Sequence, residues 1–374
     1  MELKYIKDLY QIRNKENLDK VIIYTKNFKY SGLINYAIKF ALWSVKDNGI
    51  VLIRNSNRYY RGQLTPHSYD FKLLIHKVIS IMKNFDMEVN IDKKNQEIQI
   101  IKENIPFDNN WSVGIMFSGS SDEFNQVVDS VNVLQNLRLK KDAKLEILVC
   151  GPPSERKDFE SFNINYVDYN EKNINPIKGK NNNRFLINKK KNHLIRQMQY
   201  SNCCVLHSRI FLDKDCLYNM PNHFDVIVPK IFYKNKKELI HDNDLIFCKW
   251  NSSFEYIVKY STKGFKDYNR EKYLSFLKDS IPFVDGACII AKKEIFNEHM
   301  LEEEIAWNEA EDVEWAKRLY LSNKIAELSL RSKAITQTVK TSKFLLSMPL
   351  YFRRIFQRIF YLIKVVKGSI NPYD

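Results

Sequence analysis

The sequence predicts an α/β protein made of two consecutive α/β units followed by a basic, amphipathic helical tail. Three features carry this prediction. β-rich runs alternate with stretches of helical apolar spacing up to residue 102, break at Ile105-Pro106, and resume at Trp111. No two of the ten glycines are adjacent or one residue apart, so the alternation cannot be a G-x-G-x-x-G dinucleotide unit. Residues 340–367 carry Lys340, Lys343, Arg353, Arg354, Arg358, Lys364 and Lys367 and no acidic residue. The expected units are 1–106, 107–340 and 341–374.

In the first unit, 20–26 (KVIIYTK), 49–55 (GIVLIRN), 87–92 (MEVNID) and 96–102 (QEIQIIK) read as strands. Between them, 31–46 and 69–84 place Leu33, Tyr36, Ala37 and Phe40, and Leu74, Val78 and Ile81, at helical spacing. Over about residues 18–103, with the turn Lys46-Asp47-Asn48-Gly49, this β-α-β-α-β-β order resembles the C-terminal half of a class I methyltransferase. Nothing ahead of it can form a glycine-rich cofactor loop, so no methyl transfer is expected and the unit reads as a structural or docking module.

The second unit opens with a strand (Val113 to Phe117), a loop (Ser118 to Asp122), a helix (Glu123 to Leu137) and a strand (Lys144 to Cys150), a βαβ start to a nucleotide-binding domain. Gly114 and Gly119 have P-loop spacing, but Ser120-Ser121 stands where Lys-Ser/Thr is needed, which excludes that loop. An Asn/Lys-rich loop from about Asn170 to Asn183 follows, then a basic helix (Asn188 to Tyr200) and strands at Cys203–Leu206 and Asp225–Pro229. Residues 230–282 read as aromatic and irregular, an acceptor-facing insert. Val284 to Ala291 reads as a strand entered through an acidic turn, and Trp307 to Leu319 as a helix with a dense acidic start, which the macrodipole stabilises.

Three segments in order, VGIMFSGSSDEFNQVVDSVNVLQN with KLEILVCG, INKKKNHLIRQMQYSNCCVLHSRIFLDKD, and VDGACIIAKKEIF with WNEAEDVEWAKRL, resemble the first βαβ, the middle section and the acceptor-side acidic helix of a GT-A glycosyltransferase of the family 2 type. The resemblance covers roughly 111–340. It implies a Rossmann-like nucleotide-diphospho-sugar transferase core and transfer of a sugar from a nucleotide donor, a UDP-sugar favoured, to a glycan or lipid-linked acceptor. By its motifs Asp312 is the candidate base and Glu311 orients the acceptor, with Asp285, Gly286, Trp307 and Glu309 on the acceptor side. Glu309 and Glu314 flank Asp312 and either raise its pKa by like-charge repulsion or are surface acids. The donor is expected against Phe117, Ser118, Gly119, Cys150, Gly151, Lys191, Asn192, His207, Ser208 and Arg209, at the carboxyl ends of the strands. Several of these serve equally as a strand-to-helix turn, and His207 equally as a strand-end residue.

Ser208 stands where the family places a metal-binding Asp, and no histidine follows the acidic helix. No metal site is therefore expected, and Mn²⁺ or Mg²⁺ dependence is doubtful. Arg209 or Lys189-Lys190-Lys191 can neutralise a diphosphate instead, Arg209 through its bidentate fork. Asp213 and Asp215 are the less favoured metal ligands.

The six cysteines contain no C-x-x-C, which argues against zinc and a disulfide framework. The net charge of +15 asks for anionic partners. Its concentration in the tail, where Ile355, Phe356, Ile359, Phe360, Ile363 and Val366 share one face, points to an anionic membrane surface through 344–367. Nucleic acid is not expected; a helix packed on the core is the other reading of the tail. With no apolar leader and no membrane-spanning run, the expected location is the cytoplasm, peripheral at the inner face of the cell membrane.

Overall fold

The computed structural model describes residues 1–28, 33–55, 67–83, 85, 87–105, 107–171, 173–174, 184–235, 238–241, 245–250, 256–261, 277, 280–305 and 311–337. The calls on Trp307, Glu309 and the tail 341–374 lie outside the described residues. The chain opens with β1 (Glu2–Leu3), α1 (Ile6–Ile12), β2 (Leu18–Tyr24), α2 (Leu33–Ser44), β3 (Val45–Arg54), α3 (His67–Met82), β4 (Glu88–Asp92) and β5 (Glu97–Ile101). These build a five-stranded sheet ordered β1-β2-β3-β5-β4, with the first three strands parallel and the last two antiparallel. The β-α-β-α-β-β order is present. β1 and α1 precede it and are too short to leave a period in the sequence.

The spacing of Leu33, Tyr36, Ala37 and Phe40 suggests a one-faced helix, yet all twelve residues of α2 are buried. A helix apolar all round belongs inside a protein, and α2 is covered by its own sheet on one side and by the second unit on the other. One apolar cluster runs from Val21, Phe40 and Ile98 to Val205, Val228, Phe296 and Trp315. The polar residues of α2 and its neighbours are partnered across the seam. Lys39 pairs with Asp225, whose Oδ2 also accepts the backbone N–H of Ile325 at 2.7 Å. Arg13 holds Glu327 at 2.7 and 2.8 Å and lies over the rings of Phe40 and Trp43. The Tyr36 hydroxyl donates to the carbonyl of Ala326 at 2.6 Å.

The second unit contains β6 (Trp111–Met116), α4 (Ser121–Gln135), β7 (Leu145–Gly151), β8 (Asn165–Asp168), the antiparallel pair β9 (Asn173–Ile174) and β10 (Arg184–Phe185), α5 (Ile187–Gln197), β11 (Asn202–His207), β12 (Ile210–Leu212), β13 (Val226–Asn235), β14 (Glu238–His241), β15 (Leu245–Trp250), β16 (Tyr256–Ser261), β17 (Ile281–Val284), β18 (Cys288–Lys292), α6 (Lys293–Glu298), α7 (Glu311–Leu321) and β19 (Ala326–Thr336). Its nine-stranded sheet runs β12-β19-β13-β18-β11-β6-β7-β8, with β14 on β13. β6, β7, β8 and β11 are parallel, and β18 is antiparallel to β11. Strands covered on both faces read as unbroken apolar runs, which is why β6, β7 and β11 were visible in the sequence.

Two expectations are corrected. Residues 230–282 are not simply irregular: β14, β15 and β16 lie there, and β16-β15-β17 form a separate three-stranded sheet. The strand expected over Val284 to Ala291 is entered through an acidic turn as read, at Asp285-Gly286-Ala287, where Asp285 Oδ1 accepts the N–H of Ala287 at 3.0 Å. Val284, ahead of the turn, however belongs to β17 in a different sheet, and the strand itself is β18.

The helix α5 sits close on the sheet because β6 offers no side chain at Gly114. A Cβ there would meet Leu194 at 2.6 Å and Met198 at 2.7 Å. This approach sets how deeply α5 lies and so buries its polar residues Lys190, Lys191 and Asn192.

Removing Lys39 should strand the Asp225 carboxylate in the seam. We expect Lys39→Met to cost about 3–5 kcal/mol in urea unfolding. Because the cluster is shared, probes in both units should report one coincident transition; separate transitions would show an independently folding first unit.

Candidate active site

The parallel strands β6, β7 and β11 end at Met116, Gly151 and His207, and antiparallel β18 begins beside them. Leu206 faces Cys288 across β11 and β18, and the His207 N–H donates to the carbonyl of Ala287 at 2.9 Å. The Asp285-Gly286-Ala287 turn is thereby carried to the sheet edge where ligands of open α/β sheets bind.

The acidic helix α7 starts against this turn. Buried Val313, Trp315, Ala316 and Leu319 anchor it, and Trp315 stacks on Phe296 and donates its indole N–H to the carbonyl of His299. Asp312 Oδ2 accepts the Gly286 N–H at 3.2 Å. Glu311 Oε1 lies 3.9 Å from the fully buried Lys191 Nζ. A Cβ at Gly286 would stand 3.0 Å from Lys191 Nζ, 3.4 Å from Glu311 and 3.7 Å from Asp312, so three ionisable groups converge on a position that has to lack a side chain.

Asp312 is pushed up to about 6, first by burial and then by the like charges of Glu311 and Asp285; Lys191 and the Gly286 N–H act in the opposite direction. Like-charge neighbours thus act on Asp312; the expected part of Glu309 lies outside the described residues. Glu314 is turned to Arg318, which it holds at 2.6 and 2.9 Å. A carboxylate with a raised pKa and a hydrogen bond that fixes its direction can accept a proton near neutral pH.

On the other side of the same edge, the expected donor residues divide by what their side chains already do. Phe117 is buried against Phe124 and Phe159, and the Cys150 thiol is buried and pushed up to about 12. Gly151 is a close-packing position, where a Cβ would meet the Tyr166 hydroxyl at 2.6 Å and Phe117 at 2.8 Å. Gly119 turns the chain at φ +87°, against Pro152. Asn192 donates to the Leu301 carbonyl and Glu303 and accepts from the Leu301 N–H, which clips α5 to the 301–303 segment.

Ser118 donates its backbone N–H at 2.6 Å and its hydroxyl to Glu123, and the Ser208 hydroxyl donates to the same carboxylate. Arg209 Nη1 lies 3.1 Å from His207 Nδ1. Guanidinium only donates, so this nitrogen of His207 accepts and its proton sits on Nε2. Sequence reasoning missed Glu123, an ordinary-looking acid in a first helical turn whose joining of two serines depends on tertiary placement.

Nor do the three lysines form one cationic cluster. Lys189 faces Glu304 at 3.7 Å, Lys190 donates to the Phe117 carbonyl and Glu171 at 2.5 Å each, and Lys191 turns to the Gly286 side. Arg209 is half-buried at the end of β11.

Among the described residues no three His, Cys, Asp or Glu side chains gather as metal ligands. Ser208 is engaged with Glu123, Asp213 Oδ1 accepts the Asp215 N–H, and Asp215 pairs with Arg138. Two clefts formed by described residues, of about 820 Å³ beside Arg13, Lys140 and Tyr218 and about 350 Å³ beside Trp43, His223 and Lys292, open at the opposite, N-terminal ends of the strands.

No protein-family profile matches the chain, and no curated protein sequence does. Among solved structures it is similar to TarS 1-349 of S. aureus in complex with UDP-GlcNAc, with 14% identity over 64% of this chain and 61% of that one and a TM-score of 0.39. It is also similar to the mannosyltransferase PcManGT from Pyrobaculum calidifontis in complex with GDP-Man and Mn²⁺, with 10% identity, 74% and 67% coverage and a TM-score of 0.38. A third is the catalytic domain of Drosophila β1,4-galactosyltransferase 7 in complex with xylobiose, with 12% identity, 62% and 67% coverage and a TM-score of 0.33. The match spans about three-fifths of the TarS fragment's length.

The raised carboxyl of Asp312 has a stability consequence. The folded chain holds its proton up to about pH 6, whereas the unfolded chain releases it near 3.8, so the contribution is favourable below 3.8 and lost as pH rises through 6. Asp312→Asn should therefore stabilise the protein at pH 8, by up to about 3 kcal/mol, and leave it nearly unchanged near pH 4. Thermal melts at the two pH values check this, and equal effects at both would contradict it.

Proposed function

We propose that the chain is a GT-A glycosyltransferase that moves a sugar from a nucleotide-sugar donor, a UDP-sugar favoured, to a hydroxyl of a glycan or lipid-linked acceptor in bacterial surface polysaccharide assembly. The observation that carries the reading is Asp312: a carboxylate tuned to about 6 and aimed by the Gly286 N–H at the edge where β6, β7 and β11 end. At neutral pH it is mostly ionised and still basic enough to take a proton. In the proposed step the acceptor oxygen attacks the anomeric carbon while its proton passes to Asp312. The bond from that carbon to the diphosphate oxygen breaks, and the electron pair leaves with the nucleotide diphosphate. A single displacement of this kind inverts the anomeric centre. Arg209 supplies the positive charge for the departing diphosphate, with no divalent ion in the step.

The acceptor side is assigned to Asp285, Gly286, Trp307 and Glu309, and the basic tail, at 344–367, to an anionic membrane surface, which would hold the enzyme beside a lipid-linked acceptor. No helix among the described residues is long and apolar enough to cross a membrane. A second reading, a GT-A-like binding protein without turnover, is favoured by one observation, the Ser208–Glu123 hydrogen bond where the family places a metal ligand.

Asp312→Asn should lower transfer by about 10²–10⁴-fold while donor binding, read by thermal shift against UDP-, GDP-, CMP- and dTDP-sugars, stays near wild type. Donor binding without turnover in the wild-type protein, tested with lipid-linked acceptors, would favour the binding-protein reading. Transfer should survive EDTA, and Arg209→Ala should weaken nucleotide diphosphate binding; inactivation by EDTA with rescue by Mn²⁺ would overturn the metal-free reading. Deleting 344–374 should release the protein from anionic liposomes in co-sedimentation, and equal sedimentation of both forms would show the tail to be a packing helix.

A further inference from the structure

The resemblance puts Lys191 with the nucleotide, yet its side chain goes to the other half of the site. It is fully buried, its Nζ lies 3.9 Å from Glu311 Oε1, and it stands 3.0 Å from where a Cβ of Gly286 would be. Among the described residues, the groups that act on Asp312 are Glu311 on its own helix, Asp285 on the β17–β18 turn, the Gly286 N–H, and Lys191 on α5. Of these described groups Lys191 is the cation that offsets the two neighbouring carboxyls.

We propose that Lys191 is a positioning residue for the base: its buried ammonium fixes the Glu311–Asp312 pair under the Gly286 turn and keeps Asp312 in the charged form that can accept a proton. The proposal rests on the reading of Asp312 as the base. The neighbouring Lys190 shows the contrast, because its ammonium is spent on the Phe117 carbonyl and Glu171 at the donor side. Two consecutive lysines on one helix therefore serve the two halves of the site. A buried cation removed from beside three acids leaves proton uptake as the cheapest way to lower the local charge. Asp312, already pushed up to about 6, is the acid closest to that point.

The test compares Lys191→Met and Lys191→Arg with wild type in two readouts. The first is the titration of the Asp312 carboxyl in the full-length protein without substrate, by ¹³C NMR of Asp-labelled protein, with Asp312→Asn as the assignment control. The second is the pH profile of kcat/KM. We expect Lys191→Met to move the carboxyl titration and the acid limb of the profile upward together by a unit or more, so that transfer at low pH falls at least about tenfold relative to its alkaline plateau. Lys191→Arg should restore both, and donor affinity should change by less than about threefold in either variant. If Lys191→Met does not fold, the comparison is made between Glu311→Gln and Glu311→Gln/Lys191→Met, where one buried acid has been removed with the cation; the same upward shift is expected on adding Lys191→Met. An unmoved carboxyl titration while Asp312→Asn is inactive overturns the proposal and leaves the base standing. A large loss of donor affinity with an unmoved pH profile also overturns it and returns Lys191 to the nucleotide. Wild-type turnover in Asp312→Asn overturns the base reading, and the proposal falls with it.

Discussion

The close seating of α5 on β6 is the constraint from which the rest of the site follows. Gly114 lets Leu194 and Met198 approach the strand within the space a methyl group would need, and that depth carries Lys190, Lys191 and Asn192 out of water. A buried ammonium has to find acceptors. Lys190 finds them in the Phe117 carbonyl and Glu171, Asn192 holds the 301–303 segment, and Lys191 lies beside Glu311 under the Gly286 turn. One helix thereby ties the first βαβ, the turn before β18 and the start of α7 into a single constellation. A shallower helix would leave these polar groups solvated and the acidic turn without its cation.

Order at the opposite ends of the strands has a different origin. There α2 is enclosed on all sides, and its few polar atoms are committed across the seam, Lys39 to Asp225 and Tyr36 to the Ala326 carbonyl. Asp225 also caps the Ile325 N–H, and Arg13 holds Glu327, so the starts of β13 and β19 are positioned by the first unit. Those strands belong to the same sheet as β11 and β18, which carry the site. The first unit thus acts as a wall of the second rather than as an appendage.

The acidic turn stores a local cost. Asp312 is half-buried among like charges, which push its carboxyl up and oppose its ionisation in the folded chain. The aromatic stack of Trp315 on Phe296 and the apolar face of α7 hold the helix in place against that cost. Glu314, two residues along, pairs instead with Arg318.

Much of the framework was legible because it is written in local periodicity. The apolar runs of β6, β7 and β11, the spacing of Leu74, Val78 and Ile81 in α3, and the acidic start at Glu311-Asp312 each report a property of a few neighbouring residues. The short β1 and α1, the strands within 230–282 and the split of β17 from β18 were not legible, since their pairing partners are remote in the chain and short runs leave no period. Nor does sequence distinguish Lys190 from Lys191, or Glu123 from any other acid in a first helical turn. By itself the sequence determined the longer strands and helices and which segments carry charge. Only the tertiary structure decided which of three consecutive lysines meets which acid, because that depends on how deeply one helix sinks onto a sheet built from strands that are remote from one another in the chain.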